Sequence, residues 1–110
     1  MLSEVDRSLV ERCLDHEPKA WEDFVDRYLG LLAHVVNHTA SASGVELSEE
    51  QRDALIQEVC DRLLNKDFEI LRRFRGNSSL ATYLAVVTRR WVMSKISQSG
   101  NGNGNGAGSP

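Results

Sequence analysis

Residues 48–64 read Ser-Glu-Glu-Gln-Arg-Asp-Ala-Leu-Ile-Gln-Glu-Val-Cys-Asp-Arg-Leu-Leu. Ser48 with Gln51 three positions later is the pattern of a capping box, in which each end of the motif satisfies an orphan N–H of the first helical turn. Leu55, Ile56, Val59, Cys60, Leu63 and Leu64 then recur at helical spacing, while the intervening positions are polar. A helix of this kind must bury its apolar stripe against another element. No segment of the chain has the period-two alternation of a strand, so the partners are other helices. The expectation is an all-α domain, a compact bundle of four to five helices.

Upstream, Ser3 can cap a first helix with Asp6 behind it, and Val5, Leu9 and Cys13 follow at four-residue intervals beside Val10 and Leu14. That helix is expected to stop near His16-Glu17. Pro18 suits the first turn of a second helix, whose apolar face is Trp21, Phe24, Val25, Tyr28, Leu32, Val35 and Val36. Residues 39–47 read as a loop, because small hydroxyl residues and Gly44 replace the periodic pattern.

Downstream, Asn65-Lys66-Asp67 should break or bend the third helix before a short piece carrying Phe68, Leu71 and Phe74. Arg75-Gly76-Asn77 is a turn, and Ser78 or Ser79 can cap a last helix bearing Leu80, Leu84, Val87, Trp91 and Ile96. The domain is expected to span residues 1–96. Residues 97–110, rich in Asn and Gly, have almost nothing to bury and read as a disordered tail or linker.

At 110 residues, 41% hydrophobic and 26% charged, the chain has material for one core and excludes an enzyme with separate substrate and cofactor lobes. The longest apolar run, Leu29 to Val36, contains His34 and falls short of the roughly 20 residues of a membrane helix. The opening residues lack the basic and apolar regions of a secretory signal. A soluble, cytoplasmic protein with no membrane partner is expected, and Cys13 and Cys60, lying inside helical patterns, read as buried free thiols. The net charge of −3 conceals a polarity: residues 1–65 hold six Lys/Arg against fourteen Asp/Glu, and residues 66–110 hold seven against two. Such a chain can meet two different partners, one through each half.

Catalytic signals are missing. His34 and His38 share a helix face but have no evident third ligand, so no metal site is expected. Phosphate-binding and dinucleotide-binding glycine motifs and a nucleophile elbow are lacking, and the carboxylates follow solvated helix faces, so neither catalytic residues nor a cofactor is assigned.

The segment Leu55-Ile56-Gln57-Glu58-Val59, followed by Arg73-Phe74-Arg75-Gly76-Asn77-Ser78-Ser79-Leu80-Ala81-Thr82-Tyr83-Leu84, resembles the second conserved region of bacterial RNA polymerase sigma factors of the extracytoplasmic-function type. Leu9-Val10-Glu11-Arg12-Cys13-Leu14 and residues 18–28 resemble the opening helix pair of the same family, so the likeness covers roughly residues 5–96. Tyr83 stands at the family's usual Trp position, Ala54 where an acidic residue is frequent, and Arg90 where many members have Asn. The family's second domain, which reads the −35 element, has no counterpart within these residues.

The resemblance implies a transcription initiation domain and not an enzyme. The spacing of Asp53, Gln57, Glu58 and Asp61 lets three or four of them lie on one side of the third helix, an acidic and amide face that the resemblance would pack on the β′ clamp helices of RNA polymerase core. Arg72, Arg73, Arg75, Arg89, Arg90 and Lys95 would hold promoter DNA by its phosphates at the −10 element. Asn77, Ser78 and Ser79 would shape a pocket for an extruded base. Tyr83 and Trp91 could stack on bases, but the spacing of the last helix favours their packing in the core. An anti-sigma factor and self-association are further partners that the resemblance leaves open. The alternative is a helical interaction protein, a decoy or half of a split sigma factor, without promoter recognition of its own.

Overall fold

A computed structural model describes residues 3–103, which form four helices and no strand. Helix α1 spans Glu4–Leu14, α2 Ala20–Ala42, α3 Glu49–Arg72 and α4 Leu80–Asn103. The all-α bundle expected from the apolar periodicity is therefore present. None of the described helices is long and apolar enough to cross a membrane.

Local chemistry sets the helix starts. The Ser3 hydroxyl accepts from the Asp6 N–H, and Ser48 and Gln51 form the reciprocal capping box, with Ser48 N–H donating to the Gln51 side chain at 2.9 Å. Helix α1 ends at Leu14, and a turn through His16 (φ 59°) and Lys19 (φ 70°) leads into α2. Pro18 therefore lies ahead of α2 instead of inside its first turn, because the left-handed Lys19 delays the helix to Ala20.

Helix α2 is the hub, packing on α1, α3 and α4, while α3 and α4 touch each other sparingly. Its buried side carries Phe24, Tyr28, Leu32, Val35 and Val36, and it continues through Thr39 and Ala40, both buried. Residues 39–42 are thus helical where a loop was expected. Small side chains look like loop composition, yet they let α2 extend against its neighbours, and the turn comes only at Ser43-Gly44, where Gly44 takes φ 77°.

The break expected after Leu64 is real. Asn65 is extended, and Lys66, Asp67 and Phe68 all have positive φ, so α3 is two helices joined at a sharp kink. Phe68 turns into the core against Trp21, and Asp67 accepts from His16 at 2.8 Å and from Arg72 at 2.9 Å. Three successive left-handed residues with side chains cost several kcal/mol together. Burial of Phe68 and the bonds to Asp67 offset that cost.

In α4 the buried positions are Leu80, Leu84, Thr88 and Val92. Val87 and Trp91, assigned to the stripe from the sequence, sit at its edge and are only half-buried. Thr88, whose hydroxyl reads as polar in the sequence, is fully buried. Helix α4 also runs to Asn103, beyond the boundary expected at Ile96. Extending an existing helix costs far less than starting one, so the exposed Ser97 and Gln98 continue it without burying anything. Residues 104–110 of the expected tail lie outside the described residues.

One polar cluster is buried between α1 and α2. The Asp6 carboxylate accepts from the Ser3 hydroxyl, from Arg27 Nε at 2.9 Å and from the Tyr28 hydroxyl. Burial by itself would raise the Asp6 carboxyl, but the hydrogen bonds from Tyr28, Arg27 and Ser3 together hold it below its ordinary value. Burial, reinforced by the Asp6 carboxylate, pushes Tyr28 up to about 12. Cys13 and Cys60 are buried free thiols, and burial raises both, Cys13 to about 11, which leaves them unreactive near neutral pH.

Candidate functional site

Two surfaces carry the residues singled out by the sequence. The first is a groove of about 570 Å³ between α2 and α3. Trp21, Val25, Leu29 and Ala33 of α2 and Ile56 and Cys60 of α3 make it largely apolar, and Arg52, Asp53 and Gln57 edge it. Leu29 is 43% exposed. Asp53, paired with Arg52 at 3.4 Å, and Gln57 make the polar rim of the groove, and Gln57 extends it by donating its amide to Asp61 at 3.0 Å. Their spacing of four explains this, since residues four apart lie nearly above one another on a helix.

Glu58 does not belong to that rim. One residue further on turns the helix by about 100°, and Glu58 faces α4, where its carboxylate accepts from Lys95 at 3.2 Å. Three of the four therefore share one side, within the three or four that the spacing allows. Of the groove's apolar members, Trp21, Val25, Ile56 and Cys60 recur four apart and read equally well as core, and Leu29 lies outside the apolar face expected for the second helix.

The second surface is cationic. After Glu69 the chain contains no acidic residue, and six Lys/Arg follow. Arg72 is held by Asp67, through its backbone carbonyl at 2.7 Å and its carboxylate at 2.9 Å, and Arg73 by Glu69 at 3.0 Å. Lys95 is held by Glu58. Those three of the nine proposed DNA residues are engaged internally, a consequence of folding that charge counting could not reveal. Arg75, Arg89 and Arg90 are exposed and have no ion pair among the described residues. Arg89 and Arg90 share the outer side of α4 with the exposed Val86 and Met93.

The turn between α3 and α4 is built by Gly76 (φ 78°) and capped by Ser79, whose hydroxyl accepts from the Thr82 N–H at 3.0 Å. Ser78 donates to the Ser79 carbonyl at 3.1 Å, and Asn77 is exposed at the apex. Ser79 is therefore occupied by capping, and Asn77 and Arg75 are the groups this turn presents to solvent. Tyr83 donates to the Ile70 carbonyl at 2.6 Å and packs on Phe74, which ties the α4 start to the end of α3. Both Arg62 and Lys95 lie over the Trp91 ring, at 3.8 and 5.2 Å from its centroid. Both aromatics are thus committed to holding α4 in place.

His34 and His38 are exposed and stack on each other at 5.8 Å. Among the described residues no three His, Cys, Asp or Glu gather as a metal site would require. No family model, curated protein or solved structure matches the chain.

Proposed function

We propose that this chain is a sigma-factor-like transcription initiation domain of the second-region type, docking on RNA polymerase core through α3 and engaging −10 promoter DNA through residues 72–95. The observation that carries the reading is the contrast in charge between the Asp53, Gln57 and Asp61 row of α3 and the acid-free segment after Glu69, both on the helices that bear the family-like motifs. The Asp53–Gln57–Asp61 rim with the apolar α2–α3 groove behind it suits a basic helical partner that brings its own apolar residues. The acid-free segment with Arg75, Arg89 and Arg90 exposed suits a phosphate backbone. Asn77, exposed on the turn, offers both donor and acceptor to an unpaired base. The β′ clamp helices and an anti-sigma factor are the corresponding protein partners, and the polymerase supplies the phosphoryl chemistry.

Co-purification with core polymerase tests the docking half. Wild-type protein should retain the enzyme, and Asp53→Ala/Gln57→Ala should lose most of it while remaining folded; equal recovery by the two proteins refutes the assignment. Run-off transcription from a template with only a strong −10 element then separates an initiation domain, which yields product, from a decoy, which yields none.

A further inference from the structure

Helix α4 turns Leu84, Thr88 and Val92 into the core, so its opposite side is fixed outward and can meet only another molecule. That side has a definite pattern. Val86 and Met93, each 42% exposed, stand seven residues apart, and two helical turns bring the second nearly over the first. Arg89 and Arg90, three and four residues after Val86, flank this apolar line on either side. Both are exposed and have no ion pair among the described residues.

The α2–α3 groove is the converse of that ridge. Trp21, Val25, Leu29 and Ile56 make it apolar, and Asp53 edges its α3 wall. Glu22 and Asp26, three residues before Val25 and Leu29, stand beside its α2 wall, exposed and with no ion pair among the described residues. Arg52, the one cation among the described lining residues, already has Asp53 at 3.4 Å and Glu49 at 3.9 Å. The α2 wall from Trp21 to Ala33 runs about 18 Å and the line from Val86 to Met93 about 10 Å, so two turns of α4 fit along it.

We infer that a second copy of this chain seats its Val86–Met93 ridge in the groove, with Arg89 and Arg90 meeting Glu22, Asp26 and Asp53, so that the protein associates with itself head to tail. The inference goes beyond the polymerase and promoter reading and does not depend on it. Self-association covers the same groove and the same two arginines that the reading uses, so it opposes both contacts at once. A single helix ridge buries less than about 1,200 Å² in all, the low end of specific contacts, which makes the association weak and dependent on concentration.

Sedimentation equilibrium of the full chain from micromolar to millimolar concentration tests it. The average mass of wild type should rise with concentration, and less so as salt is raised. Glu22→Lys/Asp26→Lys and Arg89→Glu/Arg90→Glu should each stay monomeric with wild-type helical circular dichroism, because like charges then face each other across the contact. Mixed in equal amounts the two should associate, since the unaltered ridge of the first fits the unaltered groove of the second. Glu11→Lys/Asp15→Lys makes the same change in net charge at the end of α1, away from the groove, and should associate as wild type does. A wild type that is monomeric throughout overturns the inference and leaves the groove to a different chain. Association that survives either groove or ridge reversal, that the mixture fails to restore, or that the α1 control also abolishes overturns it equally.

Discussion

Replacing Asp6 by Asn should destabilise the domain strongly at neutral pH and less in acid. Asp6 is 8% exposed, Tyr28 is 5% exposed, and the carboxylate accepts from Ser3, Arg27 and Tyr28. A hydrogen bond to a charged acceptor contributes about 1.5–3 kcal/mol, and leaving the buried Tyr28 hydroxyl poorly matched adds to that. The Arg27 component is small, because its side chain is 45% exposed. The total is about 2–4 kcal/mol at pH 7. Since the folded carboxyl is held below its ordinary value of 3.8, its contribution is fully present above that pH and is lost as the pH falls through the folded value. Urea unfolding followed by helical circular dichroism at pH 7, 4 and about 2 should show the gap between wild type and Asp6→Asn nearly unchanged from pH 7 to 4 and narrowing from 4 to 2. A gap below about 0.5 kcal/mol at pH 7, or one that stays constant into acid, would refute the account of this cluster.

Lys66→Gly should stabilise the domain by about 0.5–1 kcal/mol, because removing the side chain relieves a left-handed conformation by more than the extra freedom of glycine in the unfolded chain costs; a thermal melt displaced downward would contradict the kink as described. Leu63→Ala, at a side chain 1% exposed among the core of all the central helices, should cost about 2–5 kcal/mol in the same urea assay. An effect under 1 kcal/mol would mean that Leu63 is not closely packed.

Much of the fold is legible from local rules. The capping box at Ser48, the cap at Ser3, the bend at Asn65–Asp67 and the turn at Gly76 each follow from the chemistry of a few neighbouring residues, and all four occur where the sequence puts them. The errors have the opposite character. Residues 39–42 and the buried Thr88 look polar or loop-like in isolation, yet a long partner surface makes helix and burial favourable there. Phe68 reads as one residue of a short helix, but it is the anchor that makes a left-handed kink tolerable.

The candidate surfaces divide along the same line. Composition alone determines that the front half is acidic and the rear half basic, and spacing alone puts Asp53, Gln57 and Asp61 in one row, because both depend only on covalent order and helical pitch. Which charges remain available is a question about neighbours distant in sequence. Only the packing of α3 beside α4 brings Glu58 to Lys95 and Arg62 over Trp91, and only the packing of α2 on α3 turns Leu29 and Trp21 into the walls of a groove. Pairing and enclosure arise between elements, so they exist only once the chain has folded.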